Sequence, residues 1–117
     1  MVAPNASAVR NLLRQDERSI HRNMFLRIAL RKVGDPWSLL VLRELLDWPR
    51  RFSEVRTAIP KISGKSLSRV LAKLQEGGLI RRTVTAGRPP QVIYTLIRKN
   101  QALRDAINAL SEWGKSQ

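Results

Sequence analysis

The run Trp37-Ser38-Leu39-Leu40-Val41-Leu42-Arg43-Glu44-Leu45-Leu46 decides most of what this chain can fold into. Wound at about 3.6 residues per turn, its apolar side chains surround the helix axis almost completely, so neighbours must cover it on several sides. The flanks set its limits. Asp35 offers a carboxylate to amide donors at the helix start, Pro36 at the first helical position loses no needed donor, and Trp48-Pro49 closes the far end. A helix from Pro36 to Leu46 is therefore expected at the centre of the core.

The remaining segments supply the covering. Asn5 to Val33 reads as one long or two abutting helices, with Val9, Leu12, Leu13, Ile20, Met24, Phe25 and Ile28 at helical spacing and arginines between them. A short helix from Phe52 to Ile59 places Phe52, Val55 and Ile59 on one face before Pro60 stops it. Another starts after Ser63, a good N-cap, and runs to Glu76, where Gly77-Gly78 supplies a left-handed end. Its apolar stripe is narrow, formed by Leu67, Val70, Leu71 and Leu74. The opposite face carries Lys65, Ser68, Arg69, Ala72, Lys73 and Glu76. Leu79 to Thr85 and Gln91 to Ile97 are rich in β-branched residues and flank Ala86-Gly87-Arg88-Pro89-Pro90, which reads as a hairpin. Leu103, Ile107, Leu110 and Trp113 form one stripe of a last helix, about 101–114, with Asn100 as its cap. The expected fold is mainly α with a small β-hairpin: residues 21–117 form the domain, with the hairpin at 79–97, and a basic extension or helix occupies 1–20.

Composition narrows the function classes. A length of 117 residues with 43% hydrophobic and 26% charged side chains suits one folded domain. There are no cysteines, which excludes disulfides, thiolate nucleophiles and Cys-ligated metals. The one histidine, His21, sits among Arg18, Arg22 and Arg27 and reads as a solvated helix residue. The nine carboxylates form no acid/base pair, so no catalytic constellation is present and no enzyme is expected. No stretch is long and apolar enough for a membrane span, and Met1 to Arg10 lacks a signal-peptide pattern, so the expected location is the cytoplasm.

The net charge of +13 is unevenly distributed. Met1 to Val33 carries +5, Gly34 to Pro60 carries 0, and the 38 residues from Lys61 to Arg98 carry +7 with Glu76 as their single acid. A polyanion partner follows. Two short helices joined by a tight turn, the second basic on its outer side and followed by a basic hairpin, make a winged helix-turn-helix arrangement. The 63–76 helix suits the major groove of double-stranded DNA, and the 86–90 loop suits the minor groove or backbone. Lys65, Ser66 and Arg69 are the candidates for base edges, with Ser68 on the same side. Ser63, Lys73, Arg50, Arg51, Arg81 and Arg88 are the candidates for phosphate or wing contacts. Arg82 shares strand parity with Ile80 and Val84, so a structural bond against the domain competes with a DNA role. The apolar stripes exceed what so small a domain buries, which points to N- and C-terminal dimerisation helices and a homodimer through Met24, Phe25, Ile28, Leu103, Ile107, Leu110 and Trp113. Two other readings use the same residues: a non-specific nucleoid-associated or RNA-binding protein, and a winged-helix protein-interaction module. No cofactor is implied, and no residue pattern names a small-molecule effector.

A resemblance adds to this. Trp37 to Leu46, Arg51-Phe52-Ser53-Glu54-Val55, Ile62-Ser63, Leu67, Leu71, Leu74, Gly78-Leu79-Ile80, Arg82, Pro89-Pro90, Tyr94 and Leu96 together resemble the HxlR-type winged-helix transcription regulators, over roughly Gly34 to Trp113. The resemblance implies a dimeric DNA-binding regulator with the Ser63 to Glu76 helix in the major groove, the Arg88 loop as wing and the terminal helices as dimer contacts. Three departures stand out. The reactive N-terminal cysteine of many members is absent, so thiol sensing does not carry over. The family's Gly-Lys-Trp is Asp35-Pro36-Trp37 here, and its Leu-Thr-x-x-Gly lead into the last helix is Leu96-Ile97-Arg98-Lys99-Asn100.

Overall fold

Residues 7, 23–97 and 101–117 are described by a computed structural model, in which the apolar run forms α2 (Ser38–Leu45). The expected helical residues Val9, Leu12, Leu13 and Ile20, together with His21, Arg98 and the Asn100 cap, lie outside the described residues. The chain divides into two compact units, Met1–Arg31 and Lys32–Gln117. A helix, α1, covers 23–33. Within the first unit it exposes Met24, Phe25, Leu26, Ile28 and Leu30. Among the described residues no helix is long and apolar enough to cross a membrane.

In the second unit α2 starts two residues later than its sequence suggests. The Asp35 carboxylate accepts from the amides of Trp37 at 3.0 Å and Ser38 at 2.9 Å, and also from the Ser38 hydroxyl, so Pro36 and Trp37 form a turn that feeds the helix. Val41, Leu42, Leu45 and Leu46 are buried, but Leu40 is 48% exposed, so the helix is not covered all round. Its carboxyl end receives two guanidinium groups. Arg104 donates to the Leu46 carbonyl at 2.8 Å and pairs with Asp47 at 2.9 Å, and Arg50 Nε reaches the Glu44 carbonyl at 3.4 Å. Cations suit this end of a helix, where the peptide dipoles point their negative ends.

Arg50–Arg51 is a strand, β1, which is absent from the elements expected from the sequence. Two residues show no alternation, and the partner strand lies more than 40 residues away, so no local signal announces it. It is followed directly by α3 (Phe52–Ala58), whose first turn is closed by Glu54 accepting from the Arg51 amide at 3.0 Å. Then comes α4 (Gly64–Glu76), capped as expected by Ser63, whose hydroxyl accepts from the Ser66 amide at 3.0 Å. Leu67, Val70, Leu71 and Leu74 are all buried. Gly78 takes φ +75, a region costly for any residue with a Cβ, and the Leu79 amide returns to the Leu74 carbonyl at 3.0 Å. The hairpin strands are β2 (Ile80–Val84) and β3 (Val92–Leu96). With β1 they make a three-stranded antiparallel sheet in the order β1-β3-β2, in place of the expected two-stranded hairpin. The last helix, α5 (Gln101–Lys115), seats Ile107 in the core and Leu103 against it.

The two acids that organise these joints share an electrostatic signature. Partial burial alone would raise the Asp35 pKa, but hydrogen bonds from the Lys73 ammonium at 2.7 Å, the Ser38 hydroxyl and the amides of Trp37 and Ser38 outweigh it and hold this carboxyl well below the usual range. Asp47 is lowered chiefly by its hydrogen bond from Arg104, with Arg43 adding to the effect. A depressed folded-state pKa contributes stability that is fully present above the unfolded value, near 3.8, and is lost as the pH falls below it. Thermal melts should therefore hold steady down to about pH 5 and drop toward about pH 2. Asp35→Asn should melt lower than the parent at neutral pH, with the gap closing in acid; a pH-independent gap would assign the loss to something other than this charge.

The turn between α3 and α4 carries a second local cost. Lys61 adopts φ +72, the left-handed region that L side chains pay to enter. Lys61→Gly removes this strain but loosens the unfolded chain, and the balance should raise stability by about 0.5 kcal/mol, read as a small increase in denaturant midpoint.

Candidate nucleic-acid interface

The buried stripe of α4 fixes which residues it offers to solvent. At about 100° per residue, with Leu67 at zero, Val70, Leu71 and Leu74 fall within about 60° of it, while Lys65, Arg69, Ala72 and Glu76 fall between about 140° and 200°. Lys65, Ser68, Arg69, Ala72 and Glu76 are accordingly exposed. Ser66 and Lys73 lie on the flank, near 250°, and both are half-buried. The outer face of α4 is thus free of large apolar groups and carries two cations, two small side chains and one acid.

Arg56 and Lys61 bring further cations to the amino end of this helix. The Arg56 guanidinium lies over Gly64, where an added Cβ would stand 3.4 Å from Nη1. The sequence reading passes over Arg56, because a contact between two helices eight residues apart has no signature in either. A glycine at the first helical position was the available hint. Ser63 uses its hydroxyl oxygen as a cap and is exposed, so its proton remains directed by solvent or ligand.

The sheet presents a second group. Across its three strands Arg51, Ile93 and Thr83 share one row, and Arg81 with Thr95 share the next row on the same face. On the other face Arg50, Tyr94 and Arg82 form a row in which Tyr94 is buried and Arg82 is exposed. Arg82 thus has the parity of a core residue without the burial. Every residue of β2 after Ile80 is exposed. At the wing, Thr85 and Gln91 close the base reciprocally: the Thr85 amide donates to the Gln91 carbonyl at 2.8 Å, and the Gln91 amide donates to the Thr85 hydroxyl at 3.2 Å. Arg88 stands exposed in the five-residue loop so held.

Three of the expected phosphate contacts are engaged internally, Arg51 among them, with its Nε 4.0 Å from a Glu54 carboxylate oxygen. Arg50 is half-buried and directed at the Glu44 carbonyl, and the Lys73 ammonium is paired with Asp35. Of the residues expected to meet a second copy, Ile107 is only 5% exposed and Leu103 is half-buried, so both serve the core of their own domain. Leu110 and Trp113 are exposed on α5, and Leu110 with Leu40 borders a groove between α2 and α5. Among the described residues no three His, Asp or Glu side chains converge on a metal-sized site.

This arrangement has relatives. The HxlR-like helix-turn-helix family model matches residues 32–117. A helix-turn-helix-type transcriptional regulator of Methanothermobacter thermautotrophicus is 42% identical over 88 residues, 75% of this chain and 67% of the relative. The transcriptional regulator YodB of Bacillus subtilis is 35% identical over 85 residues, 73% of this chain and 76% of its own. Among solved structures, the redox regulator HypR in its oxidised form superposes with a TM-score of 0.73 at 28% identity, covering 79% of this chain and 95% of that one. Reduced YodB from B. subtilis superposes at 0.64 with 35% identity, covering 73% and 83%. With the family match spanning the whole second unit, and with relatives that are transcription regulators and not enzymes, the chain belongs to the HxlR-like helix-turn-helix regulators.

Proposed function

We propose that this regulator binds a specific double-stranded DNA site as a cytoplasmic homodimer, with α4 in the major groove and the Arg88 loop on the minor groove or backbone. The observation that carries the reading is the disposition of α4: four buried apolar residues seat it, and Lys65, Ser68 and Arg69 face outward beside a basic wing. Lys65 and Arg69 take the base edges, with Ser66 at the flank of the same turn. Arg51, Ser63, Arg81 and Arg88 meet phosphates, joined by Arg56 and Lys61 at the amino end of α4, where the helix dipole favours an anion. Arg50, held at the end of α2, contributes charge at longer range.

Exposed apolar surface supports the dimer. In α1, Met24, Phe25 and Ile28 are exposed, and in α5 so are Leu110 and Trp113. Covering such faces with a second copy is the usual outcome for a soluble chain, and the two recognition helices of a symmetric pair reach major-groove segments about 34 Å apart.

A gel-shift titration on duplexes selected from a random pool tests the reading. The slope of log K against log salt should approach −0.9Z, with Z about 6 to 10 for a dimer. Arg69→Ala should weaken binding to the selected site by about 1–3 kcal/mol and relax one base position. Equal affinity for selected and random duplexes would replace this reading with non-specific binding. Trp113→Ala should lower the mass measured by light scattering at micromolar concentration, and an unchanged mass would remove α5 from the dimer contact.

A further inference from the structure

We infer that Lys73 and Asp35 form a latch that sets the angle at which α4 is presented, so that Lys73 acts as a positioning residue in place of the phosphate contact its charge suggests. The inference rests on the DNA-binding reading above. Lys73 Nζ lies 2.7 Å from Asp35 Oδ2, across 38 residues of sequence, and the two side chains are 41% and 27% exposed. A phosphate approaching this ammonium would meet a carboxylate already bound to it. Lys73 also lies on the flank of α4 and not on its outward face, in a cleft lined by Asp35, Trp37, Ser66, Arg69 and Val70.

The same carboxylate holds the first turn of α2 through the amides of Trp37 and Ser38. One side chain thus fixes where α2 begins and how α4 leans against it. The buried stripe of α4 sets the helix's rotation about its axis, but a narrow stripe leaves tilt less constrained. Lys73 is one helical turn beyond Arg69, so a change of tilt at the latch moves the Arg69 guanidinium relative to the groove.

Removing an acid makes the test decisive, because the latch and the phosphate contact predict opposite signs. Binding of the full chain to its selected duplex is measured across a salt series for Lys73→Met, Lys73→Arg and Asp35→Asn. Asn keeps an acceptor for the helix start, so Asp35→Asn retains the cap. The latch predicts about three- to tenfold weaker binding for Lys73→Met and for Asp35→Asn, a salt slope within about 0.3 of the parent, and recovery to within about twofold in Lys73→Arg. It is overturned if Lys73→Met cuts the slope by about one unit while Asp35→Asn tightens binding, or if neither variant changes affinity. If the parent binds no duplex, the function proposed above fails. The latch is then read by amide hydrogen exchange, which should quicken along α4 in both variants and not in Lys65→Met; unchanged exchange overturns it.

Discussion

The contact of Leu67, Val70, Leu71 and Leu74 with the buried side of α2 is the constraint from which the rest follows. Full burial of such side chains is worth about 1.5–3 kcal/mol each. A rotation of α4 by one residue's worth, about 100°, would bring leucines into water and press Lys65 or Arg69 against the core. No other rotation of this helix is affordable for a domain whose total stability is about 5–15 kcal/mol. The basic face therefore points outward because the apolar face has only one place to go. Ser63 and Gly78 define the ends of the same element, so its length and its rotation about its own axis are settled within its own sequence.

The sheet is tied to this frame at both ends. The turn at Gly77 and Gly78 delivers Ile80 to the core directly after α4, and the Ile97 amide closes on the Leu79 carbonyl at 3.0 Å. At the opposite edge β1 pairs with β3 and runs straight into α3, so the helix-turn-helix and the wing share a strand pair instead of being joined only by a linker. Arg50 and Arg104 both reach the end of α2, one from β1 and one from α5. The carboxyl end of α2 is in this way the joint at which the strand leading into α3 and the last helix are held together.

What the sequence made legible was whatever a local pattern encodes. The extent of α4, its cap, its stripe and its glycine stop are written in consecutive residues, and so are the two long strands and the stripe of α5. What stayed hidden depends on pairs distant along the chain. β1 is two residues whose identity as strand comes from Tyr94 and Ile93, and the Lys73 ammonium meets a carboxylate 38 residues away. The direction of Ile107 was hidden for the same reason. A helical stripe announces that one face is apolar, but whether that face meets its own core or another chain depends on what the rest of the fold has left uncovered. Here the stripe divides, with Ile107 and Leu103 inward and Leu110 and Trp113 outward.

The placement of the few acids explains how a surplus of cations becomes a usable surface. Among the described residues Asp35, Asp47, Glu54, Asp105 and Glu112 each accept from a side chain or amide of the domain's own structure, at helix starts, helix ends or along α5. None of these five projects from the outer face of α4, from β2 or from the wing loop. Among the described residues no carboxylate pairs with Lys65, Arg69, Arg81, Arg82 or Arg88, and their repulsion is tolerated because each is exposed and screened by solvent. Glu76, at the last turn of α4, is the one acid on that face, farthest along the helix from Lys65. A chain with the same net charge and its acids scattered evenly over its surface would present no such field. The internal use of the carboxylates is what concentrates the positive potential on the outer face of α4, on β2 and on the wing loop.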